Sequence, residues 1–134
     1  MNSTLKLVMA VTAAFTLDAA RSDVAGSPLH VHLSKSEPMA DSTVTVAPTT
    51  VKLWFSAPVQ VAVTTVRVSA TDGTSMSALP VQRATGDNAP LVATLPSPLA
   101  NGRYSVAWRT MSRDGHAVAG TFAFTVAASA TNSN

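Results

Sequence analysis

The chain has 134 residues, of which 46% are hydrophobic and 12% charged, and its formal net charge is +2. The high apolar content is not that of an intrinsically disordered protein. The Lys and Arg residues are few and scattered, so they predict no basic surface for binding nucleic acid. The absence of cysteine excludes disulfide bonds and thiolate metal sites, so a soft metal would have to bind methionine or histidine.

The amino terminus has the features of a secretory signal. Lys6 precedes the apolar run LVMAVTAAFTL, whose length is typical of a signal-peptide core and too short to span a bilayer. We therefore expect residues 1–29 to be a signal peptide and leader, within which several small residues offer alternative cleavage sites. A buried helix over residues 7–20 is the alternative interpretation. No later apolar segment is long enough for a transmembrane helix, so we expect a soluble mature protein.

Beyond Pro28 the chain predicts short strands separated by turn residues, with no internal repeat. The stretches VKLWF, VTTVRVSA, YSVAW and TFAFTV alternate large apolar residues with others, which is the period of a half-buried strand. Prolines fall between these stretches, where a missing amide hydrogen costs little. The pattern predicts an all-β sandwich of about seven antiparallel strands. Its expected core residues are Leu53, Phe55, Val66, Val68, Tyr104, Val106, Trp108, Phe122 and Phe124.

Three histidines, His30, His32 and His116, are the strongest neutral nitrogen ligands in this chain. A single histidine is more often a surface residue or a satisfied core residue than a ligand. A sandwich, however, can bring the segment before its first strand to a turn between late strands. The candidate metal cluster is therefore His30, Asp114 and His116, with His32 as a further candidate ligand. Gly115 permits a tight turn from which both neighbouring side chains aim at one point.

Two stretches carry a resemblance to a known family. LHVHLSKSEP and LANGRYSVAWRTMSRDGHAVAGTFAFTV resemble the first strand and closing hairpin of the CopC/PcoC copper-resistance proteins. The family's opening pattern H-x-x-L-x-x-S-x-P begins here at His30, and its closing D-x-H motif falls on Asp114 and His116. The resemblance covers residues 30–126. It implies an Ig-like Greek-key β-sandwich in the periplasm that binds Cu(II) through these three residues.

The donor set agrees with that implication, because Cu(II) prefers nitrogen and oxygen ligands in a tetragonal array. If the mature chain began at His30, its α-amine would supply a further nitrogen. Leu29 stands directly before that position, with Ser27 two residues further back, so cleavage before His30 departs from the small-residue rule for signal peptides. An earlier start would remove the amine, and His32 would then be the further imidazole.

The sequence also departs from the family pattern in two places. Some members carry an acidic residue after the second strand, where this chain has Ser56 and Ala57. Some carry a methionine-rich loop that suits Cu(I), where this chain offers only Met76. We expect Met76, together with Met39 and Met111, to fill the core, and we expect the protein to bind Cu(II) tightly and Cu(I) weakly.

We therefore expect residues 30–127 to form a copper-binding domain and residues 128–134 a flexible tail. The resemblance implies a periplasmic protein of copper resistance or homeostasis, and not an enzyme. It would buffer Cu(II) or deliver it to a CopD-like transporter of the inner membrane. One alternative is a copper-dependent oxidative enzyme with a histidine-brace site, although Asp114 would fill a coordination position that oxygen needs. Another is an Ig-like interaction domain without metal.

Overall fold

The computed structural model describes residues 30–129, in which two four-stranded β-sheets form a sandwich. The predicted signal peptide and leader, and most of the predicted tail, lie outside the described residues. The helical part of the described range is a single 3₁₀ turn, Val61–Val63. Within residues 30–129 no helix has the length and apolar character needed to cross a membrane.

The described strands are β1 (Leu33–Glu37), β2 (Thr43–Val44), β3 (Thr50–Phe55), β4 (Thr65–Ala70), β5 (Val81–Arg83), β6 (Leu91–Thr94), β7 (Gly102–Met111) and β8 (Ala117–Val126). One sheet has the order β1-β3-β6-β5 and the other β2-β8-β7-β4. The predicted all-β sandwich is confirmed. It has eight strands, and β2 pairs with β8 in parallel. A two-residue strand is too short to show an alternating pattern, which is why the sequence did not reveal it.

Alternation of side chains builds the core between the sheets. In β4, for example, Val66 and Val68 are fully buried while Thr65 and Arg67 are exposed. Burying each such apolar side chain stabilises the fold by about 1.5–3 kcal/mol. Two of the predicted core residues, Phe55 and Phe122, are only partly buried, but both pack against the core. The other predicted core residues are buried: Leu53, Val66, Val68, Tyr104, Val106, Trp108 and Phe124.

Two features carry chain segments to the same end of the sandwich. The β7–β8 hairpin keeps its register from Gly102↔Val126 to Met111↔Ala117, so its turn projects from that end. The β1–β3 pairing continues beyond β1, because Ser56 N donates to His32 O at 2.9 Å and His32 N donates to Ser56 Oγ at 3.0 Å. Since β1 belongs to the opposite sheet from β7 and β8, these segments meet across the sandwich. The predicted meeting of the segment before the first strand with a late turn is therefore seen in the fold.

The carboxyl end of the described domain includes Ala128, one residue beyond the predicted boundary at residue 127. Ala128, the first residue of the predicted flexible tail, is half-buried. Its N–H donates to Oδ1 of Asn101 at 2.8 Å, and Nδ2 of Asn101 donates to its carbonyl at 3.0 Å. These two hydrogen bonds hold Ala128 against the domain.

Candidate metal centre

The turn between β7 and β8 presents Asp114 and His116 to solvent. Ser112 N donates to His116 O at 2.9 Å, and Gly115 N donates to Ser112 O at 3.1 Å, which closes the turn. Gly115 has a φ of +91°, a left-handed conformation that other residues resist. The side chains of Asp114 and His116 consequently leave the hairpin and remain more than half exposed.

A hydrogen-bond network joins Asp114 to both of its neighbours in the turn. Oδ2 of Asp114 lies 2.8 Å from Nδ1 of His116, and Oδ1 accepts a hydrogen bond from the Ser112 hydroxyl. The Ser112 hydroxyl, and to a smaller extent His116, lower the pKa of Asp114 from 3.8 to about 2. The carboxylate is thus ionised at neutral pH and can only accept hydrogen bonds. When the His116 ring is neutral, its proton therefore lies on Nδ1, which leaves the Nε2 lone pair available to a metal ion.

His30 faces this turn from the opposite sheet. Its ring centroid lies 6.4 Å from that of His116, with an interplanar angle of 86°. Two imidazoles that share a metal would have centroids roughly 4.5–6.5 Å apart, given metal–nitrogen bonds of about 2.0–2.1 Å. The two rings are therefore close to the separation that a shared ion would require.

The three side chains share one surface cavity of about 260 Å³. Val31, Pro58 and Val118 contribute apolar wall, and Asp114 is the only acid among its described lining residues. Ala57 also lines it, so the position where some family members have an acidic residue borders the site without supplying a donor. The cavity thus combines a few convergent polar groups with an apolar wall, as small-ligand sites commonly do.

The arrangement is open. Across residues 30–129, no three histidine, cysteine or acidic side chains are already close enough together to enclose a metal ion. The side chains of His30, Asp114 and His116 would have to rearrange to enclose one ion together. With both hydrogen bonds made, the Asp114 carboxylate lies on the Nδ1 side of the His116 ring, away from an ion on Nε2, so direct coordination by Asp114 would require one of these bonds to break.

His32 is placed differently from the other three candidates. Its Nδ1 lies 3.3 Å from the carbonyl oxygen of His30. Its side chain lines a neighbouring cavity together with Trp108 and Gly120, and it is absent from the wall of the cavity that holds Asp114. The fold therefore brings His30, Asp114 and His116 together and turns His32 towards another surface.

Sequence reasoning missed Ser112, which contacts both Asp114 and the His116 backbone. A signal was available, because a serine in a turn commonly hydrogen-bonds to groups two to four residues away. Ser112 stands two residues before Asp114 in the S-R-D-G-H stretch. The spacing alone does not say which acceptor the hydroxyl selects.

The chain is similar to known proteins over most of the described residues. Residues 33–127 match the CopC domain. Protein YobA from Escherichia coli K12 is 32% identical over 97 residues, which cover 72% of this chain and 78% of YobA. The crystal structure of CopC from Methylosinus trichosporium OB3b is similar, with a TM-score of 0.65 and 31% identity over 72% of this chain and 93% of that one. PcoC, a methionine-rich copper resistance protein from Escherichia coli, gives a TM-score of 0.61 and 33% identity over 73% of this chain and 99% of its own. The chain therefore belongs to the CopC domain family.

Proposed function

We propose that this protein binds Cu(II) in the periplasm at the site of His30, Asp114 and His116, with the two imidazoles as direct ligands and the carboxylate as the partner that orients the His116 ring. The observation that carries the proposal is the meeting of two imidazoles and one ionised carboxylate on a single open cavity. Membership of the CopC domain family supports copper as the ion, since related proteins are described as copper resistance proteins.

The donor atoms favour the oxidised ion. Imidazole nitrogen and carboxylate oxygen suit Cu(II), whereas thioether and thiolate sulfur suit Cu(I). The Asp114 bond to Nδ1 leaves Nε2 of His116 as the binding atom, and the carboxylate adds a negative charge beside it. His30 and His116 would coordinate the copper ion, and the negative charge of Asp114 would offset part of its positive charge.

The described methionines offer little to Cu(I). Met76 is half-buried and packs against the core, as predicted. Met39 does not fill the core as expected, because it is 62% exposed and lines a separate groove with Pro38 and Lys52. No methionine lines the cavity of His30 and His116 among the described residues. We therefore expect Cu(I) to bind weakly.

The proposed role is to buffer periplasmic Cu(II) or to deliver it to a CopD-like transporter of the inner membrane. The signal-like sequence at the amino terminus supports export. The side chains of Asp114 and His116 are 61% and 70% exposed, so a receiving protein could approach the ion directly.

The test is a competition titration of the mature protein against one Cu(II) chelator and one Cu(I) chelator at neutral pH. We expect one Cu(II) per chain and weaker binding of Cu(I). Tighter binding of Cu(I), or no saturable binding of either ion, would contradict the proposal. Mass spectrometry of the secreted protein identifies the mature amino terminus, and with it whether the His30 amine is available.

An oxidative enzyme is distinguished by oxygen uptake. The copper-loaded protein with ascorbate should consume oxygen no faster than the same copper held by a small chelator. A rate well above that control, abolished by substitution of His116, would favour the histidine-brace alternative.

A further inference from the structure

Ser112 is the fixed point of the turn that carries Asp114 and His116. It is 7% exposed, while the side chains it touches are largely open to solvent. Its carbonyl accepts a hydrogen bond from Nε2 of Gln60 at 2.9 Å, and its backbone pairs with Val59. Its N–H donates to His116 O at 2.9 Å. The backbone of Ser112 is therefore held from both sides without help from its hydroxyl.

The hydroxyl of Ser112 has two acceptors in reach, Oδ1 of Asp114 and, at 3.1 Å, the carbonyl of His116. A hydroxyl has a single proton to donate. The His116 carbonyl already receives the Ser112 N–H, whereas a hydrogen bond to a charged carboxylate is roughly twice as strong as a neutral one. The Ser112 hydroxyl therefore donates its hydrogen bond to Asp114.

The two oxygens of Asp114 thus have different partners, the buried Ser112 hydroxyl and the exposed His116 ring. Oδ1 is held by Ser112, and Oδ2 is 2.8 Å from Nδ1 of His116. Rotation of either side chain would break one of these bonds. The buried hydroxyl thus sets the direction of two exposed side chains, which have no other side-chain hydrogen-bond partner among residues 30–129.

We propose that Ser112 is a positioning residue of the copper site, an inference that rests on the proposed function. It acts through Asp114: the hydroxyl fixes the carboxylate, which fixes the His116 ring with Nε2 directed outwards. Partners that orient metal ligands in this way commonly change metal affinity by about 10–100-fold when they are removed. Because two mobile side chains must otherwise be ordered when copper binds, loss of the hydroxyl should weaken binding.

A double-mutant cycle tests the role. Cu(II) affinity is measured by chelator competition at neutral pH for the wild type, Ser112→Ala, Asp114→Ala and the double variant. We expect Ser112→Ala to lose about 10-fold in affinity in the wild-type background and nothing further in the Asp114→Ala background. The control Ser34→Ala removes an exposed hydroxyl that donates to Trp54 O, and it should leave affinity unchanged. Equal losses in both backgrounds, or no loss in either, would overturn the proposal.

A second measurement needs no copper. Nitrogen-15 chemical shifts of the His116 ring report its tautomer, and the wild type should be protonated on Nδ1. Ser112→Ala should show a mixture of tautomers while keeping the backbone spectrum of the wild type, because only the hydroxyl is lost. An unchanged ring spectrum would overturn the positioning role even if the protein binds copper. Absence of Cu(II) binding by the wild type would instead defeat the proposed function.

Discussion

The rings of His30 and His116 lie edge to face, 6.4 Å apart, although one residue precedes the first strand and the other follows the seventh. His30 precedes β1 of one sheet, and His116 lies in the turn between β7 and β8 of the other. The proposed copper site is consequently a contact across the fold, and its affinity depends on the domain being folded.

Substitution of either ring should remove tight binding. We expect His116→Ala and His30→Ala each to weaken Cu(II) binding by at least about 100-fold, because a direct ligand matters no less than an outer partner. His32→Ala is the matched control, since His32 lines a neighbouring cavity, and it should change affinity far less. The measurement is chelator competition at neutral pH. A loss for His32→Ala equal to that for His116→Ala would make His32 a ligand.

Mild acid should release the copper. Protons compete with copper for imidazole nitrogen, and histidine side chains ordinarily titrate near pH 6.5. Asp114 is not the responsive group in this range, because its pKa is lowered to about 2 by the Ser112 and His116 hydrogen bonds. Apparent Cu(II) affinity measured from neutral pH down to about pH 5 should therefore fall steadily. An affinity independent of pH would exclude imidazole ligands.

Stronger acid should destabilise the copper-free domain through Asp114. Its pKa is lowered in the folded state from 3.8 to about 2, so the ionised carboxylate stabilises the fold at pH values above about 4. That contribution is lost as the pH falls through about 2. Thermal unfolding of the wild type and Asp114→Asn across this range should show a stability difference that shrinks as the pH falls. A difference that stays constant would mean that the lowered pKa does not contribute to stability.

Two glycines with the same φ allow the hairpin turn to be tested separately from general stability. Gly115 and Gly73 both have φ of +91°, and neither has a neighbour that an added Cβ would meet. Alanine at either position should cost about 1–3 kcal/mol of stability from backbone strain. Only Gly115→Ala should also weaken Cu(II) binding, because Gly73 lies in the β4–β5 connection. Equal effects of both variants on copper affinity would contradict a special role for the Asp114–His116 turn.

Close packing of Gly120 on Trp108 gives a prediction about the core. The two residues are paired in the β7–β8 register, and a Cβ on Gly120 would lie 2.6 Å from Cζ2 of Trp108. Phe55 packs edge to face on the same ring with centroids 5.2 Å apart, so the Trp108 ring has little room to move away from an added Cβ. Gly120→Ala should therefore destabilise the domain by about 1–3 kcal/mol in chemical unfolding.

The neighbouring residue supplies the control for that measurement. Ala119 is exposed on the same strand, and Ala119→Ser should change stability by no more than about 0.5 kcal/mol. If Gly120→Ala were as stable as the wild type, the Trp108 ring would have to move at little cost.

The alternation of apolar and other residues was sufficient to predict the strands that form the core. Val66, Val68, Tyr104 and Val106 were predicted from alternation and are buried. Alternation is a local property, since successive side chains of a strand point to opposite faces whatever the strand pairs with. Phe55 and Phe122 follow the same pattern but lie where the core meets solvent, so they are only partly buried. The degree of burial depends on the neighbouring sheet, which alternation does not describe.

By itself, the sequence determined the all-β fold, the family and the D-x-H motif at Asp114 and His116, because each is recorded in residues that are close along the chain. The tertiary structure decided the rest: the parallel pairing of β2 with β8, the approach of His30 from the opposite sheet, and the turning away of His32. It also decided that the Ser112 hydroxyl meets Asp114. These contacts depend on how distant segments pack and on the directions of side chains in a turn. The spacing of residues along the chain determines neither the packing nor these directions.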